Sequence, residues 1–158
     1  MGRLRIRPAT ENDTSTVASL LREEDRLEVQ ATSGRDPALV MLDGIRHGAE
    51  CWLVSNAAGE PLCIWGVVDS FESVLDGRVG CIWMLTTTHV ERHKKEFFRA
   101  SKAMVASLLR DWDVLFNLID CRYERAIEWG RRIGFEFGDP TRFGVEGRLF
   151  LPFEVLNV

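Results

Sequence analysis

Hydroxyl and ammonium groups lie close together in the segment GCIWMLTTTHVERHKKEFFRASKAMVASLL, which spans residues 80–109. These groups belong to Thr86, Thr87, Thr88, Lys94 and Lys95. The segment begins with the apolar pattern of a strand and continues with the pattern of a helix that has a basic first turn. A helix N-terminus presents free backbone N–H groups and the positive end of the dipole, both of which attract phosphate. The segment therefore predicts a site for a phosphorylated cofactor; alternatively, the threonines simply end a strand and the lysines form a solvated helix face.

Other groupings of reactive side chains are weaker. His89 and His93 are four residues apart, a spacing that can bring two imidazoles to one metal when both lie on one helix. No third ligand accompanies them, so we predict no metal site. The four cysteines form no C-x-x-C pair, which argues against a zinc site and a disulfide framework. No local signature of a Ser/His/Asp triad is present.

Length and charge restrict the class of protein. The 158 residues suit one domain, which we predict to span residues 1–158. A net charge of −4 argues against nucleic acid as the main partner. No apolar run approaches the roughly 20 residues that cross a bilayer, and the N-terminus lacks the apolar core of a signal peptide. We therefore expect a cytoplasmic protein without a membrane partner.

Hydrophobic periodicity predicts the elements that must position the threonines and lysines. The predicted strands cover residues 3–7, 51–55, 61–69, 78–87, 114–119, 135–137 and 148–153. The predicted helical stretches cover residues 10–22, 23–30, 37–47, 91–109 and 122–133. The first stretch has Val17, Leu20 and Leu21 as its apolar face, and the second is more polar. The third carries Leu39, Leu42 and Ile45 among its apolar residues. The element order is β-α-α-β-β-β-α-β-α-β-β.

This order predicts the topology. Consecutive strands in the middle of the chain favour antiparallel pairing. The strand–helix–strand unit that begins at residue 78 favours a parallel pair joined by a right-handed crossover. We therefore predict an α/β (α+β) protein with a mixed, mostly antiparallel central sheet and helices on both faces.

The element order resembles that of the GNAT superfamily of acyl-CoA-dependent N-acyltransferases. The opening RLRIRPATENDTSTVASLL is similar to the family's first strand and helix. The late segment AIEWGRRIGFEF is similar to its penultimate helix and the Gly-Phe that follows. The pattern also resembles divergent GNAT-like proteins of tailed bacteriophages, some of which have structural or host-directed roles.

The resemblance implies a mechanism and a set of residues. Strands 78–87 and 114–119 are expected to splay apart, so that their backbone groups bind the pantetheine arm of acyl-CoA and the next helix N-terminus binds the pyrophosphate. An amine then attacks the thioester carbonyl directly, a base removes its proton, and an acid protonates the leaving thiolate. The expected cofactor contacts are Leu85, Thr86, Thr87, Thr88, Lys94 and Lys95.

The sequence departs from the family pattern at three places. The pyrophosphate loop, Gln/Arg-x-x-Gly-x-Gly/Ala in the family, corresponds here to HVERHKKEFF and has no glycine. Gly130 stands where the family often has its tyrosine acid, and Tyr123, two turns earlier, is the substitute candidate; a buried tyrosine with one hydrogen bond is the alternative. The candidate bases are Asp69 and Glu72. The alternative is that both are ordinary solvated carboxylates with no role in catalysis.

Two functions follow from the resemblance. The first is an acyl-CoA-dependent N-acyltransferase, with acetyl as the expected acyl group and an amine of a small molecule or protein as acceptor. The second is a GNAT-like phage protein that has lost catalysis and binds a host protein or forms part of a virion; its location would be the host cytoplasm.

Overall fold

The computed structural model describes residues 3–70 and 77–158, and eight strands of this part form one sheet. The strands are β1 (Arg5–Pro8), β2 (Glu50–Ser55), β3 (Pro61–Asp69), β4 (Val79–Thr86), β5 (Val114–Asp120), β6 (Glu136–Phe137), β7 (Thr141–Phe143) and β8 (Arg148–Leu156). Their order across the sheet is β1-β2-β3-β4-β5-β8-β6, and β7 also pairs with β8. Only β4 and β5 run parallel among these pairs. The predicted mixed, mostly antiparallel sheet is confirmed.

The helices of the same two ranges follow the predicted positions closely. They are α1 (Asp13–Leu20), α2 (Glu23–Ser33), α3 (Pro37–His47), a 3-10 helix (Thr88–Arg92), α4 (Lys94–Leu108) and α5 (Glu124–Ile133). The start of α3 has the predicted cap, because the Asp36 carboxylate accepts a hydrogen bond of 2.8 Å from the Ala38 N–H. Gly134 ends α5 with φ of 113°, the left-handed conformation expected of a helix C-cap. No described helix is long and apolar enough to cross a lipid bilayer.

Two hydrophobic clusters place helices on both faces of the sheet, as predicted. One cluster joins β3 and β4 to α4 and α5, with Phe97, Met104 and Ile133 as helical members. The other joins β2, β3 and β4 to the first three helices, through Val17, Val29 and Met41. Alternate side chains of a strand point to opposite faces, so the central strands are buried between two helical layers.

β4 and β5 pair over only three positions and then separate. The pairing begins at Val79 opposite Val114 and ends at Cys81 opposite Phe116. Beyond that point β4 stays paired with β3, and β5 stays paired with β8. The side chain of Asn117 stands at the fork, where its Nδ2 donates a hydrogen bond of 2.6 Å to the Ile82 carbonyl. The predicted splay between these two strands is therefore present.

The start of α4 differs from the prediction. The sequence pattern placed it near residue 91 or 92, but residues 88–92 form a 3-10 helix and α4 begins at Lys94. Thr87 caps the 3-10 helix, because its Oγ1 accepts a hydrogen bond of 3.2 Å from the His89 N–H. His93 then adopts φ of −131° and ψ of 30°, which separates the two helices. Lys94 and Lys95 are therefore the first two residues of α4.

Two smaller predictions were also wrong. All four residues of β1 are exposed, and Ile6, expected on a buried face, is 46% exposed. A third closing strand, β7, was not predicted, because it has three residues and depends on its pairing with β8.

Candidate functional site

A cleft of about 1150 Å³ opens where β4 and β5 separate. Side chains from both strands and from α2, α4 and α5 line it, together with Phe143 of β7. The buried Phe97 and Met104 of α4 contribute apolar surface. Charged residues of α2 and of the loop after β5 contribute the polar part. The cleft is thus deep and apolar, with a few polar groups that converge on it, which is typical of a small-molecule site.

The N-terminal end of α2 is fixed to the C-terminal end of β4. Leu21 forms a single β-bridge with Thr87, and the Arg22 N–H donates to the Thr86 carbonyl at 3.1 Å. The Asp25 carboxylate accepts two further hydrogen bonds from Thr86, from its Oγ1 at 2.7 Å and from its backbone N–H at 3.3 Å. These contacts hold α2 against the fork, so that the carboxylates of α2 face the cleft.

The start of α4 has features of an anion site. No side chain caps the helix. Lys94 and Lys95, in the first turn of α4, line the cleft. Lys94 forms an ion pair of 2.8 Å with Glu91. Lys95 is exposed and forms no ion pair with any residue that the structure describes. A free helix N-terminus with two ammonium groups suits phosphate oxygens.

The three predicted threonines are not grouped around the cleft. Thr86 lines it, but its hydroxyl donates to Asp25. Thr87 is completely buried, and its hydroxyl donates a hydrogen bond of 2.6 Å to the Pro61 carbonyl. Thr88 is exposed and is not among the cleft residues. Two of the three hydroxyls therefore stabilise the fold around the fork. Leu85, the residue before Thr86 in β4, lines the cleft.

Of the two predicted bases, Asp69 lies in the described structure and is not among the residues that line the cleft. Asp69 is the last residue of β3 and lies opposite Gly80, at the other end of β4 from Thr86. Six residues of strand separate these positions, which corresponds to about 20 Å at the usual rise. Glu72 lies outside the described residues.

His89 and His93 have different neighbours. Nδ1 of His89 lies 2.7 Å from Nη2 of Arg92, whereas Nε2 of His93 lies 3.4 Å from Nδ2 of Asn56. Within residues 3–70 and 77–158, no group of three or more metal-ligating side chains comes together.

Tyr123 lies in the cleft as the residue that precedes α5. It was predicted to lie within the helix of residues 122–133, but it has φ of −96° and ψ of 65°, outside the helix. Its hydroxyl is buried and has no hydrogen-bond partner among the described residues. Burial raises the pKa of Tyr123 to about 12, and the negative charges of Asp120, Glu28 and Asp25 act in the same direction. This hydroxyl stays protonated at neutral pH and has a proton to donate into the cleft.

Glu28 of α2 is a cleft residue that sequence reasoning missed. Its Oε2 accepts a hydrogen bond of 3.3 Å from the Asp120 N–H, at the end of β5. Burial, together with the nearby charges of Asp25 and Asp120, raises the pKa of Glu28 to about 8. A carboxyl group that titrates near neutral pH is suited to proton transfer.

The two carboxylates beside Glu28 are already paired with arginines. Arg22 binds Asp25 at 3.0 Å, and Arg122 binds both oxygens of the buried Asp120, with a shortest distance of 2.7 Å. Burial raises the pKa of Asp25, whereas the pKa of Asp120 is lowered because its bonds to Arg122 outweigh the effect of burial. Glu28 forms no ion pair within the described residues. Among these three carboxylates of the described structure, Glu28 is thus the one that no cation neutralises.

Nothing local in the sequence distinguishes Glu28. It lies in the run EEDRLEVQ, where carboxylates alternate with other residues along a polar helix. The hydrogen bond that identifies it joins residues 92 positions apart in the chain. Only the tertiary structure brings Glu28 and Tyr123 to one wall of the cleft, with the N–H of the buried Asp120 bonded to Glu28.

Comparisons with known proteins identify the fold. No protein-family model matches the sequence, and no curated protein is significantly similar to it. An aminoglycoside N(6′)-acetyltransferase structure from Legionella pneumophila superposes with a TM-score of 0.74 and 10% identity, over 99% of this chain and 94% of that one. The structure of AAC(6′)-Ib in complex with ribostamycin and coenzyme A gives a TM-score of 0.72 and 17% identity, over 98% and 93% of the two chains.

A third structure is the spermidine N-acetyltransferase SpeG from Vibrio cholerae, as a chimera with hSSAT. It has a TM-score of 0.69 and 12% identity, over 98% of this chain and 96% of that one. In each case the likeness covers nearly the whole of both chains, so it concerns the complete arrangement of strands and helices. The chain therefore has the fold of the GNAT N-acetyltransferases.

Proposed function

We propose that this protein is an acyl-CoA-dependent N-acyltransferase that moves an acyl group, in the first instance acetyl, to an amine. The observation that carries the proposal is the fork between β4 and β5. It opens into a cleft of about 1150 Å³ with the uncapped start of α4 and the Glu28–Tyr123 wall among its boundaries. The start of α4 suits phosphates, and the side chains of Glu28 and Tyr123 suit proton transfer.

The residues around the fork fit acyl-CoA. Beyond Cys81 the β4 backbone has no ladder partner in β5. The Thr86 N–H and C=O are already bound by Asp25 and Arg22, so the backbone between Ile82 and Thr86 is the part that would meet the amide groups of a pantetheine arm. Lys94, Lys95 and the first N–H groups of α4 would hold the diphosphate. Side-chain ammonium groups would thus do the work that glycine backbone usually does in the family loop.

Proton transfer would be the task of Glu28 and Tyr123. Acyl-CoA supplies an activated thioester carbonyl when it is bound. The ionised Glu28 carboxylate would accept the proton from the attacking amine nitrogen, directly or through one water. The Tyr123 hydroxyl would donate a hydrogen bond, and then its proton, to the departing sulfur. The unpartnered state of this hydroxyl is consistent with such a role, because a buried donor without a partner is otherwise unfavourable.

The structural neighbours support an amine acceptor. One of them was solved with coenzyme A and the aminoglycoside ribostamycin, and another is a spermidine N-acetyltransferase. Those proteins differ from this chain at more than four-fifths of the aligned positions. The proposed acceptor is therefore an amine of either a small molecule or a protein. An acceptor that carries a positive charge would be attracted to the carboxylates of α2.

The proposal is tested by following the release of free coenzyme A thiol. The protein is incubated with acetyl-CoA and a panel of amines that includes spermidine, an aminoglycoside and a lysine peptide. We expect amine-dependent thiol release from at least one member and no release after substitution of both Glu28→Gln and Tyr123→Phe. If the purified, folded protein gives equal thiol release with and without every amine, the transferase proposal loses its support.

The alternative is a GNAT-like phage protein that has lost catalysis and binds a host protein or a virion component. The observation that favours it is the internal use of the Thr86 and Thr87 hydroxyls, together with the missing glycine loop. We place it second, because the fork, the cleft and the uncapped start of α4 are all retained. A protein of this second kind would show no heat on titration with acetyl-CoA at millimolar concentration.

A further inference from the structure

Glu91 lies at the mouth of the cleft with three cationic side chains around it. Its Oε2 lies 2.8 Å from the Lys94 ammonium and 3.7 Å from a guanidinium nitrogen of Arg125. Its Oε1 lies 3.7 Å from a guanidinium nitrogen of Arg22. The three cations belong to three separate parts of the fold, namely the residue before α2, the start of α4 and the first turn of α5.

This arrangement is not explained by stability. The side chains of Lys94 and Arg125 are 57% and 79% exposed, and that of Glu91 is 42% exposed. Exposed ion pairs of this kind contribute little to the free energy of folding, because water screens them and ordering long side chains costs entropy. Two of the three distances are also too long for a direct hydrogen bond. Arg22 has its closer ion pair with Asp25, at 3.0 Å, and Glu91 holds Arg22 and Arg125 only at longer range.

The same place offers more positive potential than one carboxylate can neutralise. The three cationic groups face two carboxylates, Glu91 and the Asp25 that pairs with Arg22, and the uncapped N-terminus of α4 adds the positive end of its dipole. Lys95, which follows Lys94, adds a further ammonium group on the cleft side. The hydrogen bond from Lys94, with the charges of Lys94, Arg125 and Arg22, holds the pKa of Glu91 below its ordinary value. A diphosphate, with two or more negative charges, matches this site better than the carboxylate does.

We propose that Glu91 is an internal substitute for the diphosphate of the cofactor. In the free protein its carboxylate holds Arg22, Lys94 and Arg125 together at the mouth of the cleft. When the diphosphate binds, it takes these cations, and the Glu91 side chain turns out towards solvent. The inference rests on the proposed function. It adds that this chain has its own anion competing at the site where acyl-CoA binds, and that the three cations replace the glycine loop.

The substitution Glu91→Gln separates this role from a purely structural one. It removes the competing charge while it keeps the size of the side chain. We expect the dissociation constant for acetyl-CoA, measured by calorimetry at low salt, to fall by about 3- to 10-fold. The gain should shrink at high salt, because the mouth is exposed. S-acetylpantetheine carries the thioester but no phosphate. Its dissociation constant should therefore be the same for wild type and variant.

Two further variants serve as controls. Glu124→Gln makes the same change of charge on a neighbouring residue that lines the cleft and forms no ion pair within the described residues. Its effect on acetyl-CoA binding should be less than about twofold. Arg125→Gln removes one of the three cations and should weaken acetyl-CoA binding about 3- to 10-fold. Thermal unfolding of each variant checks that the fold is intact.

Binding of inorganic pyrophosphate tests the anion site independently of acyl transfer. If Glu91→Gln binds pyrophosphate more tightly than wild type while neither binds acetyl-CoA, the anion site stands and the transferase proposal fails. If wild type binds acetyl-CoA and Glu91→Gln binds it equally or more weakly, Glu91 is not a competitor and the inference is overturned, whereas the transferase proposal survives. Failure of both proteins to bind either compound overturns the inference as well.

Discussion

Replacement of Glu28 by glutamine tests the proposed base through stability as well as activity. In the folded protein, burial and the charges of Asp25 and Asp120 raise the pKa of Glu28 from its ordinary value of 4.5 to about 8. The folded state therefore keeps this proton over a pH range in which the unfolded chain has already released it. It follows that the free energy of unfolding decreases as the pH rises from about 4.5 to about 8. Glutamine does not titrate, so the variant lacks this contribution.

The size of the effect follows from the same pKa values. A change in pKa from 4.5 to about 8 corresponds to about 5 kcal/mol at 1.36 kcal/mol per pH unit, which is the upper limit. Glu28 keeps some contact with solvent through the cleft, which reduces the penalty of ionisation. Between pH 5 and pH 9, we therefore expect the free energy of unfolding of the wild type to fall by about 2–5 kcal/mol more than that of Glu28→Gln.

Urea unfolding at pH 5, 7 and 9 measures this difference directly. Glu24→Gln is the matched control, because Glu24 lies on the same helix, lines the same cleft and is exposed; it should follow the wild type at every pH. If Glu28→Gln and wild type show the same dependence on pH, the raised pKa of Glu28 is refuted and its role as a base with it. In the active protein, kcat/KM should rise with pH up to about 8, and Glu28→Gln should reduce it by about 10²-fold or more.

Three further substitutions test other parts of the account. Tyr123→Phe should lower kcat by about 10²-fold and leave stability within about 0.5 kcal/mol of wild type, because the hydroxyl has no partner to lose; an unchanged kcat would remove Tyr123 as the acid. Thr86→Val should cost about 1–3 kcal/mol in urea unfolding, since it removes the shortest of the hydrogen bonds that the Asp25 carboxylate accepts, whereas the exposed Thr88→Val should cost less than about 0.5 kcal/mol. Lys95→Ala should raise the dissociation constant for acetyl-CoA about 3- to 10-fold, and Lys102→Ala, on the same helix but outside the cleft, should not.

Much of the fold could be predicted because local signals and long-range packing agree. Asp36 and Pro37 form a helix start that needs no tertiary support, and the bounds of α3 were correct. Residues 61–69 are an apolar run between turn signals, and they form β3 as expected. The parallel pairing of β4 with β5 followed from the helix between them and the handedness of such crossovers.

The candidate site was harder to predict, because it depends on contacts between distant residues. The segment HVERHK has helical periodicity, but the cap by Thr87 and the dihedral angles of His93 produce a separate 3-10 helix. Asp69 was chosen for its closeness in sequence to the strand of the threonines. Antiparallel pairing carries it to the far end of that strand instead. Glu28 became a candidate only through its contact with the end of β5.

Titration of the wild-type protein with acetyl-CoA in a calorimeter tests the central claim most directly. The account predicts saturable binding of one molecule per chain, with a dissociation constant between about 1 μM and 1 mM, the usual range for enzyme substrates. The midpoint of thermal unfolding should rise with the same dependence on ligand concentration, because acetyl-CoA binds the folded state only. No heat of binding and no thermal shift at millimolar acetyl-CoA, with a folded protein, would contradict the claim that the fork between β4 and β5 is a cofactor site.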